Sequence, residues 1–316
     1  MLVLVAPGQG SQTPGFLSPW LELPGVTDRL RAWSDVAGID LVHYGTEADA
    51  DAIRDTAVAQ PLLVAGALLS ARELLGDGFA GAAGLGAVAG HSVGELPAAA
   101  IAGVLTETGT MALVRSRSTA MAEAAAVTDT GMSAVLGGDP DEVAAKLAQH
   151  GLTAANNNGG GQIVAAGTLE QLAALAADKP EKSRVIPLKV AGAFHTHHMA
   201  PAVKAMAAAA EDVTVAAPGV PFVSNADGQV VGDGQEVVRR LVTQVSNPVR
   251  WDLCSETFQR LGVTALIELC PGGTLAGLAK RNLKGVAQLA VKSPDNLAAA
   301  RELIAEHTAT AAEEES

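Results

Sequence analysis

Ser92 lies in Gly90-His91-Ser92-Val93-Gly94-Glu95, between an apolar run and a helix-like segment. Gly-x-Ser-x-Gly is the spacing of a serine forced onto a sharp strand-to-helix turn. There the hydroxyl stands exposed, and backbone N–H groups at the helix start face a developing oxyanion. Such a serine needs a base, and the chain carries seven histidines. His195 is the candidate, in Ala193-Phe194-His195-Thr196-His197-His198 directly after a strand-like segment. A capping cluster ahead of a helix is the competing reading of that stretch, and the better one for His197 and His198. His91 is adjacent to the serine, so its side chain leaves the turn in another direction and supports the loop. A metal pair at His195-Thr196-His197 would want acidic or histidine ligands downstream, and Met199-Ala200-Pro201 supplies none. No metal is expected.

Chain order excludes the usual lipase or esterase. Those triads run Ser, then Asp or Glu, then a late His. Here over a third of the chain follows His195, and no acidic third member stands out. A second glycine-rich element, Pro7-Gly8-Gln9-Gly10-Ser11-Gln12, follows the first apolar run. It matches neither GxGxxG nor GxxxxGK[ST], so it is no phosphate cradle. It is either a plain strand-to-helix turn or a device that brings the backbone of Gln9 to the serine as an oxyanion donor.

These loops need a parallel sheet to carry them. Leu2–Ala6 reads as a buried central strand, as do Gly84–Ala89, Pro221–Ser224 and Ala265–Leu269, with helices at Gln60–Leu75, Glu95–Gly103, Thr106–Ala126, Pro201–Ala210, Glu236–Gln244, Asp252–Leu261 and Thr274–Asn282. The middle has another rhythm: strand Met132–Leu136, a helix to Gln149, strands Leu152–Ala155 and Gln162–Ala166, a helix from Thr168, and strand Arg184–Val190. That β-α-β-β-α-β order predicts a ferredoxin-like subdomain over 130–190, inserted into an α/β core made of 1–129 and 191–316.

Apolar residues are 48% of the 316, enough for a large core, and aromatics only 3%, so Ala, Val and Leu must build it. The end, Thr308 to Ser316, is small and acidic and reads as frayed. A formal net charge of −13 argues against nucleic acid as a partner. The N-terminus has no basic region or cleavage site, and the apolar stretches around Leu62–Leu69 and Leu96–Leu105 fall short of the roughly 20 residues of a membrane span. The expectation is a cytoplasmic protein with no membrane partner, monomeric because no long apolar patch is evident. Cys254 and Cys270 lack CxxC spacing and read as reduced, buried thiols.

Gly8-Gln9-Gly10-Ser11-Gln12, Gln60-Pro61, Gly90 to Glu95, Arg117, Phe194-His195, Asn247-Pro248-Val249 and Pro271-Gly272 occur in this order. In that combination the chain resembles, over nearly its whole length, malonyl-CoA:acyl-carrier-protein transacylases and the acyltransferase domains of polyketide and fatty-acid synthases. The resemblance implies an α/β-hydrolase-like core with Ser92 as nucleophile and His195 as general base and then acid. The histidine is held by a backbone carbonyl, expected from the Asn247–Arg250 segment, which accounts for the missing acid. N–H groups of Val93 and Gln9 form the oxyanion hole. Arg117 matches the arginine that grips the free carboxylate of malonyl, a task for a planar guanidinium, while Arg115, two residues away on a helix, points elsewhere. Phe194 matches the residue that favours malonyl over methylmalonyl, here in Gly-Ala-Phe-His where the synthase domains have His-Ala-Phe-His. Gln60, His91, Asn156, Asn158 and Gln162 match positions lining the cleft. The partners implied are malonyl-CoA and holo acyl carrier protein, for fatty-acid synthesis, polyketide synthesis or both, with no cofactor. Carriers are acidic, so docking needs a local basic patch: Lys182, Arg184 and Lys189, or Lys280, Arg281 and Lys284. A thioester hydrolase and a non-catalytic carrier-binding module are the competing readings.

Overall fold

The computed structural model describes residues 1–313. Among these, the strands are β1 (Leu2–Ala6), β2 (Ala87–Gly90), β3 (Thr130–Gly137), β4 (Thr153–Asn157), β5 (Gln162–Thr168), β6 (Ser183–Pro187), β7 (Phe222–Val223), β8 (Val230–Val231), β9 (Val249–Arg250), β10 (Ala265–Glu268) and β11 (Ala287–Ala290). They form two sheets. A six-stranded sheet runs β11-β10-β1-β2-β7-β8, parallel except for the β7–β8 pair. A five-stranded sheet runs β6-β3-β5-β4-β9.

β1 is buried along its whole length because both faces of its sheet are covered. Alternate residues serve two cores: Leu2, Leu4 and Ala6 pack with the helices Thr56–Leu75 and Glu107–Ala125. Val3 and Val5 pack with Trp251, Phe258 and Leu275 on the opposite face. The parallel register sets Ala6 beside Gly90, so the loop after β1 and the serine turn after β2 emerge side by side. Asn225 follows β7 and Glu268 ends β10, so four neighbouring strands deliver polar residues to one edge of the sheet. Ligands of open parallel sheets gather outside these carboxyl ends.

The stretch 130–187 runs strand, helix, strand, strand, helix, strand. It has its own small core of Val135, Val143, Leu147, Leu152, Ala165, Leu172 and Leu175. Local signals set its helices: the Asp139 side chain caps Pro140–Gln149, and Thr168 with Gln171 forms a capping box on Leu169–Ala177. Its sheet does not stop at the stretch's own strands, because β9 from the later chain pairs in parallel with β4, with Asn156 opposite Val249.

Some expected elements differ. The helix expected from Gln60 begins at Thr56, because the Asp55 side chain caps it by accepting the Ala57 N–H at 2.7 Å; Pro61 is then inside the helix. This helix is long and apolar enough to cross a membrane, longer than the stretches read from sequence, and 89% of its apolar window is buried inside the protein. Helices Val26–Ala37 and Leu41–Thr46 and strand β11 were not anticipated. The expected fraying from Thr308 gives way to a helix, Leu297–Glu313; residues 314–316 lie outside the described residues. Both cysteines are free and buried.

Candidate functional site

The backbone at Ser92 turns sharply, with φ 55°, a left-handed conformation that a residue with a Cβ adopts only when its surroundings hold it. Those surroundings are specific. The Ser92 N–H donates to Asn225 Oδ1 at 2.8 Å, and the Ser92 carbonyl accepts from Gln244 Nε2 at 3.0 Å. Gly94 packs so closely on the end of β1 that any Cβ there would collide with the Ala6 carbonyl. A Cβ at Gly8 would lie 2.8 Å from the His91 carbonyl oxygen, so the loop after β1 and the serine turn touch backbone to backbone. That contact brings Gln9 to the turn. Val93 is in the first turn after Ser92, where N–H groups lack intrahelical acceptors.

His195 has a matching geometry. Its φ is 60°, and its Nε2 lies 2.7 Å from Ser92 Oγ. On the other side Nδ1 lies 2.8 Å from the carbonyl oxygen of Gln244. A carbonyl only accepts, so Nδ1 carries the proton and the Nε2 lone pair faces the serine hydroxyl. The carbonyl holding the ring is therefore Gln244's, rather than one from Asn247–Arg250 as expected. The helix Gly234–Gln244 ends at this residue, where carbonyls lack intrahelical donors. Backbone at Asn247 contributes less; its exposed side chain caps Thr243, and Arg250 pairs with Asp252 at 2.8 Å. Burial, and then the charge of Arg117, hold the His195 imidazole down at about 3, so it is neutral at ordinary pH and its Nε2 lone pair is free to accept a proton.

Arg117 is 1% exposed, while Arg115 on the same helix is exposed and reaches the Val36 carbonyl. Arg117 Nη1 donates to Gln60 Oε1 at 2.7 Å, and Nη2 to Gln244 Oε1 at 2.9 Å and to Ser92 Oγ at 3.3 Å. A buried cation needs such acceptors, and here both amide partners are neutral. Burial lowers its pKa to about 10, leaving it charged at neutral pH. Gln60 also reaches Gln9 Oε1 at 3.4 Å, tying the loop after β1 to the same cluster. Phe194 is buried in the main core immediately before the histidine. Thr196 caps the short helix His197–Met199, with His197 exposed.

A cleft of about 400 Å³ opens next to the serine turn, lined by Gln9, His91, Asn156, Asn158, Gln162 and Arg281 among others. His91 Nε2 lies 2.9 Å from Asn158 Oδ1, and Arg281 donates to Gln162 Oε1 at 2.8 Å. Asn156 Oδ1 is buried with no hydrogen-bond partner among the described residues. The lining takes in Gly8, Gln9 and His91, the residue before Ser92, but not Ser92 itself.

Sequence reasoning missed Gln244, Asn225 and Glu95 as parts of the site. Only Glu95 left a signal: an acidic residue opening a fully buried run, Glu95–Ile101, must find partners inside. It accepts the Asn225 N–H at 2.6 Å and the side-chain amide of Gln244, and burial raises its pKa to about 7.

Residues 3–310 match the family model described as the acyl transferase domain. The chain belongs to the acyl transferase domain family. This acyltransferase is 52% identical over 297 residues to the malonyl CoA-acyl carrier protein transacylase of Mycobacterium tuberculosis, covering 94% of this chain and 98% of that protein. It is similar to the crystal structure of MCAT from Mycobacterium tuberculosis, with a TM-score of 0.91 and 51% identity over 95% of this chain and 99% of that one. It is also similar, at 30% identity and a TM-score of 0.86, to a malonyl-transacylase solved in complex with a type II PKS acyl-carrier protein. That match covers 95% of this chain and 99% of the other.

Proposed function

We propose that this acyltransferase moves a malonyl group from malonyl-CoA to the phosphopantetheine thiol of holo acyl carrier protein, for fatty-acid synthesis, polyketide synthesis or both. The observation that carries this reading is a buried, charged guanidinium 3.3 Å from a serine hydroxyl that is itself 2.7 Å from a neutral imidazole. His195 Nε2 takes the proton as Ser92 Oγ attacks the thioester carbonyl. The N–H groups of Val93 and Gln9 receive the oxyanion. The C–S bond breaks, His195 returns the proton to the departing CoA sulfur, and malonyl remains as an ester on Ser92. The carrier thiol then gives its proton to His195 and attacks the ester, and Ser92 Oγ is reprotonated as it leaves. Arg117 holds the free carboxylate throughout, and Phe194 limits room for an α-methyl group.

The same reading treats 1–129 and 191–316 as a hydrolase-like core and 130–190 as a ferredoxin-like insertion. The strand order β6-β3-β5-β4, with helices after β3 and after β5, supports the second half of it. Asn156, Asn158 and Gln162 from the insertion, with Gln60 and His91 from the core, line the approach. Lys189 lines a second cleft on the other side of Gln9 and Gly10, so with Arg281 it brackets the entrance with exposed positive charge. Each belongs to one of the two basic clusters considered for docking an acidic carrier, and the pair is the contact set this reading favours. The protein works as a cytoplasmic monomer in this account. Mass spectrometry of the intact protein mixed with malonyl-CoA tests it. A malonyl adduct on Ser92, discharged by holo carrier and only slowly by water, is expected; rapid release of free malonate would assign a hydrolase instead.

A further inference from the structure

Glu95 has no part in the steps above, although it is 1% exposed and adjoins the serine turn. Its two oxygens have different donors: Oε1 takes the Asn225 N–H, and Oε2 takes the side-chain NH2 of Gln244. Gln244 passes the pattern on. The same NH2 donates to the Ser92 carbonyl, its Oε1 accepts from Arg117, and its backbone carbonyl holds His195. An amide has a donor end and an acceptor end, and an ionised carboxylate only accepts. The carboxylate therefore forces the NH2 end of Gln244 toward itself and the oxygen end toward Arg117.

We propose that Glu95 is a positioning residue: its carboxylate locks the Gln244 amide so that Arg117 is gripped by two neutral oxygens and keeps its charge for the acyl carboxylate. This rests on the reading in which Arg117 binds the malonyl carboxylate. A glutamine at position 95 fills the same space with one acceptor and one donor. Its NH2 would face either the Asn225 N–H or the NH2 of Gln244. The second conflict is relieved only by flipping Gln244, which turns its NH2 onto Arg117. Each arrangement leaves a buried donor against a donor, an uncompensated loss.

Protonation of Glu95 creates the same conflict, because a carboxylic acid must also donate. Burial places this event near pH 7. The charged and titratable groups around Glu95 are Arg117 on the helix Glu107–Ala125, Arg240 on Gly234–Gln244 and Cys254 on Trp251–Arg260. Arg117 at about 10 stays protonated through neutrality, Cys254 is pushed well above its ordinary value, and Arg240 is raised. His195 at about 3 stays neutral.

The test measures malonyl and acetyl loading onto Ser92 from their CoA thioesters, in wild type and Glu95→Gln, from about pH 6 to about pH 8. At the upper end the wild-type malonyl-to-acetyl ratio should exceed the variant's by about tenfold or more. It should fall toward the variant's value below about pH 7, while the variant's ratio stays flat. Equal ratios at the upper end, or the same pH dependence in both proteins, would overturn the proposal. Should Glu95→Gln fail to fold, the wild-type series decides alone, and a ratio that does not change with pH overturns it. Wild type that loads no malonyl at any pH would instead refute the functional reading on which the proposal rests.

Discussion

The serine corner and the cleft beside it are built by opposite rules. At the corner, Ser92, His195, Arg117, Gln244, Asn225 and Glu95 are joined by hydrogen bonds, and all but Ser92 are buried. The cleft wall is looser: Asn156 is half-buried with an unpartnered Oδ1, and Gln162 is held by the exposed Arg281. Preorganised dipoles in a dry corner serve charge that appears only during reaction. A wall with spare hydrogen-bonding capacity suits a chain that must enter and leave. On the proposed function, the contrast separates where the chemistry is fixed from where the long arm of a thioester is received.

Substitutions at the two places should diverge accordingly. The largest effect is expected from His195→Ala, which removes the base and should lower loading of either acyl group by about 10²- to 10⁴-fold, read by quenched-flow mass spectrometry. In wild type the base works only when neutral. With its pKa lowered to about 3, acetyl loading should show no loss through about pH 6.5, where an ordinary histidine titrates. A limb at that pH would mean the imidazole is wetter than the corner described. Phe194→Ser, at the corner's edge, should raise the methylmalonyl-to-malonyl loading ratio by about tenfold, since one methyl in an apolar pocket is worth about 1–3 kcal/mol. The smallest effect belongs to the cleft. Asn156→Ala should raise KM for malonyl-CoA by only about threefold and leave Tm nearly unchanged, because an acceptor already unpaired has no bond to lose. A large loss of kcat there would merge the two regions.

The sequence singled out Ser92 and His195, which the fold sets 2.7 Å apart, but not the residues that hold them, for a physical reason. Ser92 and the Thr106 and Thr168 caps announce themselves through neighbours within a few residues. The Gln244–Glu95 and Asn225–Ser92 bonds join residues 149 and 133 apart in the chain, and no local pattern encodes them. The histidine's carbonyl was sought in Asn247–Arg250 and belongs to Gln244, a displacement of one helix end that only packing determines. The succession of strands and helices over 130–187 was legible from its rhythm; the addition of β9 to that sheet was not, because that strand is only two residues long. Helix Val26–Ala37 was missed, and helix Thr56–Leu75 begins a turn before the expected Gln60, where the Asp55 side chain caps it.

The most direct test of the account is the loading of Arg117→Ala with malonyl-CoA and with acetyl-CoA, side by side. A buried guanidinium reserved for a carboxylate predicts that malonyl loading collapses by about 10²-fold or more while acetyl loading persists or rises. Equal loss of both would contradict it and reduce Arg117 to a structural support for the serine turn.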